Sequence, residues 1–142
     1  MGRSWIFDTG PLGKIAHPKA NRRLTAWITR VLGAGDTVIL PEIADYELRR
    51  ELIRANLSQS LNRLDQLKQT LVYQPLDTAT MSRAASLWAL ARNEGHPTAD
   101  DKALDGDVIL AAQAEAAGAT VVTENVSHLD RFVAAADWET LF

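Results

Sequence analysis

A short apolar run followed by an acid, Gly and Pro lies near the start of the chain, in Ser4-Trp5-Ile6-Phe7-Asp8-Thr9-Gly10-Pro11. This run stops where Gly10 and Pro11 interrupt regular structure, which predicts a buried strand that leads into a turn. Asp8 is then placed at the carboxyl end of that strand. Ligands of open parallel sheets bind in the crevice beyond the strand ends, so this carboxylate is a candidate site residue.

A strand, a helix and a second strand follow from the next residues. Residues 21–32 carry apolar side chains at helical spacing, and Thr37-Val38-Ile39-Leu40 is a short apolar run that ends at Pro41. Pro41 opens another helix, and Ser58 is the predicted N-cap of a further one. Together these two helices form a helical hairpin over residues 42–70.

The second half of the chain continues the alternation of strands and helices. The predicted elements are a strand over 72–76, a helix capped by Asp77 or Thr78, a loop over 98–104, an Ala-rich helix that starts after Asp105-Gly106-Asp107 and ends at Ala117, and a strand over 120–123. Parallel strands need crossover connections, which helices supply, so this order indicates an α/β domain with a parallel sheet. We predict a single domain over residues 1–142.

The composition is that of one folded domain, and it excludes several kinds of site. Of 142 residues, 46% are hydrophobic and none is Cys, so disulfides, iron–sulfur clusters and thiol nucleophiles are absent. No apolar run approaches the roughly 20 residues of a membrane helix. Asp8 interrupts the N-terminal segment before a signal peptide can form, so we expect a cytoplasmic protein.

The charge is unevenly distributed along the chain. The net charge of −3 argues against binding to nucleic acid through bulk positive charge alone. Residues 1–70 carry 11 Lys and Arg against 7 Asp and Glu, whereas residues 71–142 carry 4 against 11. Two interpretations are open at this point: ordinary scatter of surface charge, or a basic flank beside an acidic pocket.

Acidic side chains from distant parts of the chain are predicted to meet at one edge of the sheet. Asp8 follows the first strand, Glu47 lies on the helix after the second strand, and Asp105 and Asp107 begin the Ala-rich helix. Carboxylates that lie close together repel each other unless a cation compensates them, and oxygen ligands suit Mg²⁺ or Mn²⁺. Hydrolysis of phosphodiester bonds is therefore the leading chemistry.

Each of these acids also has a purely structural interpretation. Asp8 can cap the turn after the first strand, Glu47 can be a solvated helix charge, and Asp105 can be a helix N-cap. Asp107 can simply be an acid that the helix dipole favours in a first helical turn. The sequence also contains three His residues that show no metal-ligand spacing, namely His17, His96 and His128.

Four motifs carry a resemblance to a known family. They are Ile6-Phe7-Asp8-Thr9-Gly10-Pro11-Leu12, Pro41-Glu42-Ile43-Ala44-Asp45-Tyr46-Glu47-Leu48-Arg49, Asp107-Val108-Ile109-Leu110-Ala111-Ala112-Gln113-Ala114 and Thr120-Val121-Val122-Thr123-Glu124-Asn125-Val126-Ser127-His128-Leu129. In this order they resemble the PIN-domain nucleases, especially the VapC-like ribonucleases of bacterial toxin–antitoxin pairs. The resemblance spans nearly the whole chain. It implies a three-layer α/β/α domain with a central, mainly parallel sheet of four to five strands flanked by helices.

The resemblance also implies an activity and a site. It implies an endonuclease that hydrolyses single-stranded or structured RNA and needs Mg²⁺ or Mn²⁺, with Asp8, Glu47 and Asp107 as the acids of the metal site. Many members carry a fourth carboxylate after the last strand, where this chain has Asn125. An amide can still orient a water or donate to a phosphate, so Asn125 is a candidate catalytic residue. Asp105 is the candidate for the missing negative charge, with helix capping as the alternative.

Partners follow from the same resemblance. It implies an RNA substrate, a VapB-like antitoxin and a homodimer, and the helical hairpin over residues 42–70 is a candidate docking surface for the antitoxin. The leucines of this hairpin can equally complete the monomer core or a dimer interface. The candidate contacts to the RNA backbone are Arg22, Arg23, Arg49 and Arg50. Solvated helix charges, or a pairing of Arg50 and Arg54 with Glu47, are the alternatives.

Two other functions are open on the sequence. An aspartyl-phosphate phosphatase also places an Asp after its first strand, but it usually carries a second Asp two residues later, where this chain has Gly10. A PIN-like module that has lost its metal site would bind RNA or protein without cleaving RNA. The neutral Asn125 motivates this alternative, and the presence of Asp8, Glu47 and Asp107 opposes it.

Overall fold

The computed structural model describes residues 2–95 and 101–142. The strands in these ranges are β1 (Ser4–Phe7), β2 (Thr37–Pro41), β3 (Val72–Gln74), β4 (Thr120–Thr123) and β5 (Ala135–Asp137). The helices are α1 (Thr9–Ala16), α2 (Arg22–Gly33), α3 (Glu42–Arg54), α4 (Ser58–Thr70), α5 (Thr78–Asn93), α6 (Asp101–Ala117) and α7 (Val126–Leu129), and a 3₁₀ turn follows at Trp138–Thr140.

The strands form one parallel sheet in the order β3-β2-β1-β4-β5. The central strand is β1, in which Ile6 pairs with Ile39 of β2 on one side and with Val121 of β4 on the other. The predicted α/β fold with a mainly parallel sheet of four to five strands is confirmed. None of the described helices is long and apolar enough to cross a membrane.

Helices cover both faces of the sheet, because successive side chains of a strand point in opposite directions. Trp5 and Phe7 of β1 pack into a core built with α1, α2 and α4. Ile6 points to the other face and packs into a second core, to which α6 contributes Leu110 and Ala114. The result is the predicted three-layer arrangement. Ile6 and Phe7 are fully buried, and burial of such a side chain stabilises the fold by about 1.5–3 kcal/mol.

The turn that was predicted after β1 is wrong, because a helix starts there instead. Asp8 is the N-cap of α1, and its side chain accepts a hydrogen bond from the backbone N–H of Thr9. Pro11 lies in the first turn of α1, where a backbone N–H would have no partner within the helix in any case. The chain therefore passes directly from β1 into α1, which brings the first helix to the end of the central strand.

Other boundaries also differ from the predictions. Ser58 is the first residue of α4 and not its N-cap, a position that Leu57 occupies without a side-chain hydrogen bond. The helix that was predicted to start after Asp107 starts at Asp101, so Asp105 lies inside the helix and is not its N-cap. Residues 98–100 of the predicted loop lie outside the described residues. The caps at Asn21 and Asp77, by contrast, accept backbone hydrogen bonds from Leu24 and Thr80, as their residue types favour.

Candidate active site

Asp8 lies at the point where the strand order reverses. Its strand, β1, has β2 on one side and β4 on the other, and the carboxyl ends of β1 and β4 border the crevice where parallel sheets bind ligands. The Oδ1 atom of Asp8 accepts a hydrogen bond from the backbone N–H of Thr9 at 2.7 Å. The Oδ2 atom accepts one from the hydroxyl of Thr123 at 2.8 Å. The carboxylate is thus fixed at both oxygens.

Burial raises the pKa of Asp8 above its ordinary value. The hydrogen bonds from Thr123 and Thr9 favour the charged form and oppose this effect, and the charge of Glu124 adds to it. The net direction is upward, so the folded protein holds this carboxylate in an environment that disfavours its charge.

Thr123 contacts a candidate site residue, Asp8, and the sequence analysis did not single it out. Its side chain is fully buried, donates to Asp8 and accepts a hydrogen bond from the backbone N–H of Asn125 at 2.9 Å. Phe7 pairs with Val122 in the sheet, so the residues that follow, Asp8 and Thr123, are neighbours. The sequence feature that could have identified Thr123 is its position, since it is a hydroxyl residue at the end of a buried strand.

Glu47 reaches the same place from α3. Its Oε1 atom accepts a hydrogen bond from the hydroxyl of Thr9 at 2.7 Å, so the residue next to Asp8 holds the second acid. On the other side α6 comes close, because a Cβ added at Gly106 would lie 2.6 Å from Oε2 of Glu47. The absence of a side chain at Gly106 therefore leaves the space that the Glu47 carboxylate occupies.

Asp107 completes the acidic cluster from α6. Burial, followed by the charges of Asp8 and Glu47, raises the pKa of Asp107 from 3.8 to about 7, and Arg131 acts in the opposite direction. The Oδ2 atom of Asp107 is buried and has no hydrogen-bond partner among the described residues. Asp8, Glu47 and Asp107 together form the acidic cluster, which three separate elements bring to one edge of the sheet.

Asp105 does not join the acidic cluster. Two residues correspond to about 200° around a helix, so Asp105 and Asp107 lie on opposite sides of α6. Asp107 shares its side with Leu110, which packs against the sheet, whereas Asp105 lines a groove of about 390 Å³ between α5 and α6 together with Trp88 and Val108. The predicted role of Asp105 as a metal ligand has no support from this position.

The residues after β4 lie at the rim of the acidic cluster. Asn125 is exposed and is the N-cap of α7, without a side-chain capping bond. Glu124 forms an ion pair with Lys14 at 3.3 Å, and its carboxylate lies over Gly10, where an added Cβ would be 2.8 Å from Oε1. The side chain of Glu124 is therefore drawn toward α1.

The four arginines predicted to contact RNA lie in different environments. Arg49 is engaged in ion pairs with Asp45 at 2.9 Å and Asp65 at 2.8 Å, which gives it a structural role. Arg50 lies over the ring of Tyr46, and Arg23 lies over the ring of Phe142. Arg22 is exposed at the start of α2. Arg54 pairs with Glu51 and not with Glu47.

The donor chemistry of the acidic cluster fits a divalent cation. The charges of Asp8 and Glu47 raise the pKa of Asp107, and one buried oxygen of Asp107 has no hydrogen-bond partner among the described residues. Carboxylate oxygens are the ligands that Mg²⁺ and Mn²⁺ prefer. Within residues 2–95 and 101–142, however, no three His, Asp or Glu side chains are already arranged as a ligand set, so binding would require side-chain adjustment.

Comparisons with known proteins bear on the family and the fold of this chain. The family model described as the PIN domain matches residues 6–132. No curated protein matches the chain in sequence. Among solved structures, VapBC2 from Rickettsia felis bound to a promoter DNA fragment has a TM-score of 0.76 and 17% identity, and the match covers 95% of this chain and 98% of that one.

Two further solved structures have the same fold. For FitAcB from Neisseria gonorrhoeae the TM-score is 0.72 and the identity 22%, with 96% of this chain and 99% of that chain covered. For DNA-bound VapBC from Salmonella typhimurium the TM-score is 0.75 and the identity 18%, with 97% and 99% covered.

Proposed function

This chain belongs to the PIN-domain family, and from that premise we propose that it is a metal-dependent endoribonuclease, the toxin of a VapBC-like toxin–antitoxin pair. Residues 1–142 would act as one domain in the cytoplasm, on single-stranded or structured RNA. The observation that carries this proposal is the acidic cluster, in which Asp8, Glu47 and Asp107 meet at the edge of the sheet where ligands bind.

The chain's own residues have distinct roles in this proposal. Asp8, Glu47 and Asp107 would hold Mg²⁺ or Mn²⁺. When bound there, the cation would supply an activated water and would neutralise charge that develops on the phosphate. Thr123 and Thr9 are positioning residues, because their hydroxyls hold the carboxylates of Asp8 and Glu47.

The raised pKa of Asp107 has a consequence for cation binding. With a pKa of about 7, Asp107 carries a proton in a large fraction of molecules at neutral pH when no cation is present. Cation binding would release that proton, because a cation stabilises the charged carboxylate.

Asn125 lies at the rim of the acidic cluster, where its amide can donate to a phosphate oxygen of the substrate.

The partners are proposed by analogy with the similar structures. These include the complexes VapBC2, VapBC and FitAcB, so we propose a VapB-like antitoxin for this chain, together with a homodimer. The predicted docking surface on the hairpin over residues 42–70 is supported by three exposed apolar side chains, those of Tyr46, Ile53 and Leu57. For RNA, the exposed Arg22, Arg23 and Arg50 stay candidates, whereas Arg49 is engaged in ion pairs.

A catalytically degenerate PIN module is the second candidate. It is favoured by the neutral Asn125 and by the lack of a ready-made ligand set in the described residues. A module of this kind would bind RNA or a protein partner without cleaving RNA. Calorimetry with Mn²⁺ separates the two functions, because a module without the metal site shows no saturable binding.

Expression of the protein in bacterial cells tests the proposed toxin directly. We expect the unchanged chain to arrest growth and to produce new RNA ends, Asp8→Asn to do neither, and the matched control Asp105→Asn to behave like the unchanged chain. Growth arrest without new RNA ends, or full toxicity of Asp8→Asn, would contradict the proposal.

A further inference from the structure

The imidazole of His128 lies beside the acidic cluster. Its Nδ1 atom is 3.8 Å from Oδ2 of Asp107, and the two side chains are 31% and 19% exposed. His128 is carried by α7, which begins just after β4, whereas Asp107 is carried by α6. The sequence spacing of the His residues gave no sign of this proximity, because the fold alone brings the two elements together.

The two atoms face each other without a hydrogen bond. A separation of 3.8 Å is too long for one, and Oδ2 of Asp107 forms no hydrogen bond with any of the described residues. Two adjacent ligands of one octahedral ion, each about 2.1 Å from it, are about 3.0 Å apart. A movement of less than about 1 Å would bring the two atoms from 3.8 Å to this separation, so both can share one cation.

We propose that His128 supplies a nitrogen ligand to the cation held by Asp8, Glu47 and Asp107, and that the site therefore prefers Mn²⁺ or a later transition ion to Mg²⁺. This inference rests on the proposed function. Imidazole nitrogen suits transition metals, whereas Mg²⁺ prefers oxygen ligands. A nitrogen ligand at this point also compensates for the neutral Asn125, which offers no carboxylate to the site.

A role as a simple counter-charge predicts the opposite behaviour. A protonated His128 that only neutralises Asp107 would repel an incoming cation, so its removal would strengthen cation binding. Removal of a ligand weakens binding. The direction of the change in affinity therefore distinguishes the two roles.

The experiment compares Mn²⁺ and Mg²⁺ binding to the full chain by calorimetry. We expect His128→Gln and His128→Phe to lose about tenfold or more in Mn²⁺ affinity and much less in Mg²⁺ affinity, so the ratio of the two falls. The control is His17→Gln, which removes an exposed imidazole at the end of α1 and should bind both ions like the unchanged chain. Circular dichroism checks that each variant is folded.

Pulsed electron paramagnetic resonance of bound Mn²⁺ gives an answer that does not depend on the variants. We expect the unchanged chain to show a hyperfine coupling to ¹⁴N, and both His128 variants to lack it. If the unchanged chain binds Mn²⁺ without this coupling, or if the variants bind Mn²⁺ as tightly or more tightly, the inference is overturned and the proposed function stands. If the unchanged chain binds no divalent cation, both fall.

Discussion

Replacement of Asp107 by Asn is expected to stabilise the cation-free protein at alkaline pH. The pKa of Asp107 rises from 3.8 to about 7 on folding, so the unfolded chain loses this proton at a lower pH than the folded protein does. Between those two values the folded state binds more protons, and the free energy of unfolding falls as the pH rises. Asn fills nearly the same volume and carries no charge, so Asp107→Asn removes this loss.

The magnitude follows from the difference between the two pKa values. That difference corresponds to an upper limit of about 4 kcal/mol. Water reaches the carboxylate, which is 19% exposed, and screening reduces the effect, so we expect about 2 kcal/mol. The gain should be complete at about pH 8 and absent below about pH 3, where Asp107 is protonated in both the folded and the unfolded state.

Urea unfolding in the presence of a chelator measures this effect at several pH values. Tryptophan fluorescence is a suitable signal, because Trp5 and Trp27 are in edge contact in the core, with ring centroids 5.0 Å apart. The matched control is Asp105→Asn, on the opposite side of α6. If Asp107→Asn lowered the free energy of unfolding at pH 8, or raised it equally at all pH values, the electrostatic reasoning would be refuted.

Further predictions concern the supports of the acidic cluster and the surface. Gly106→Ala places a Cβ 2.6 Å from Oε2 of Glu47, so this carboxylate must move and we expect RNA cleavage to fall at least about tenfold. We expect thermal stability to be kept or raised, because Ala is more favourable than Gly in a helix by about 1 kcal/mol. Thr9→Val removes the hydroxyl that holds Glu47 and should lower kcat about tenfold with an unchanged circular dichroism spectrum, whereas equal activity would show that this hydrogen bond positions nothing. Asp45→Ala should destabilise the fold by about 2–4 kcal/mol in urea unfolding, because Asp45 is 7% exposed and forms an ion pair with the Arg49 guanidinium. Glu51→Ala on the same helix should have no measurable effect, because Glu51 pairs with Arg54 at the surface. Equal effects of the two substitutions would contradict this interpretation of burial.

The sequence predicted most of the sheet because its strands are short apolar runs that Gly, Pro or a polar residue ends. Residues 4–7 and 120–123 were placed correctly for this reason. The strand β5 was missed, since Ala135-Ala136-Asp137 has little apolar character of its own and is held by pairing with β4. The helix α1 was missed because Gly10 and Pro11 argued for a turn, whereas the cap at Asp8 decided for a helix.

The acids of the site could be named from motif order, but their environment could not. The unpartnered oxygen of Asp107 and the two threonine hydroxyls depend on which strands are neighbours, and no local pattern encodes that. Asp105 shows the opposite error, a residue that the sequence assigned to the site and that the fold places elsewhere. It was placed near the site by its position in the sequence, yet the early start of α6 puts it on the far side of the helix.

Cleavage of an RNA pool by the purified protein is the decisive test of the acidic cluster as an active site. The chain and its Asp8→Asn variant would be incubated with structured and single-stranded RNA in Mg²⁺, in Mn²⁺ and in chelator, and the new ends mapped by sequencing. We expect cleavage by the unchanged chain with either ion, no cleavage in chelator and none by Asp8→Asn. Cleavage that persists in Asp8→Asn, or that needs no cation, would contradict the assignment of the acidic cluster as the active site.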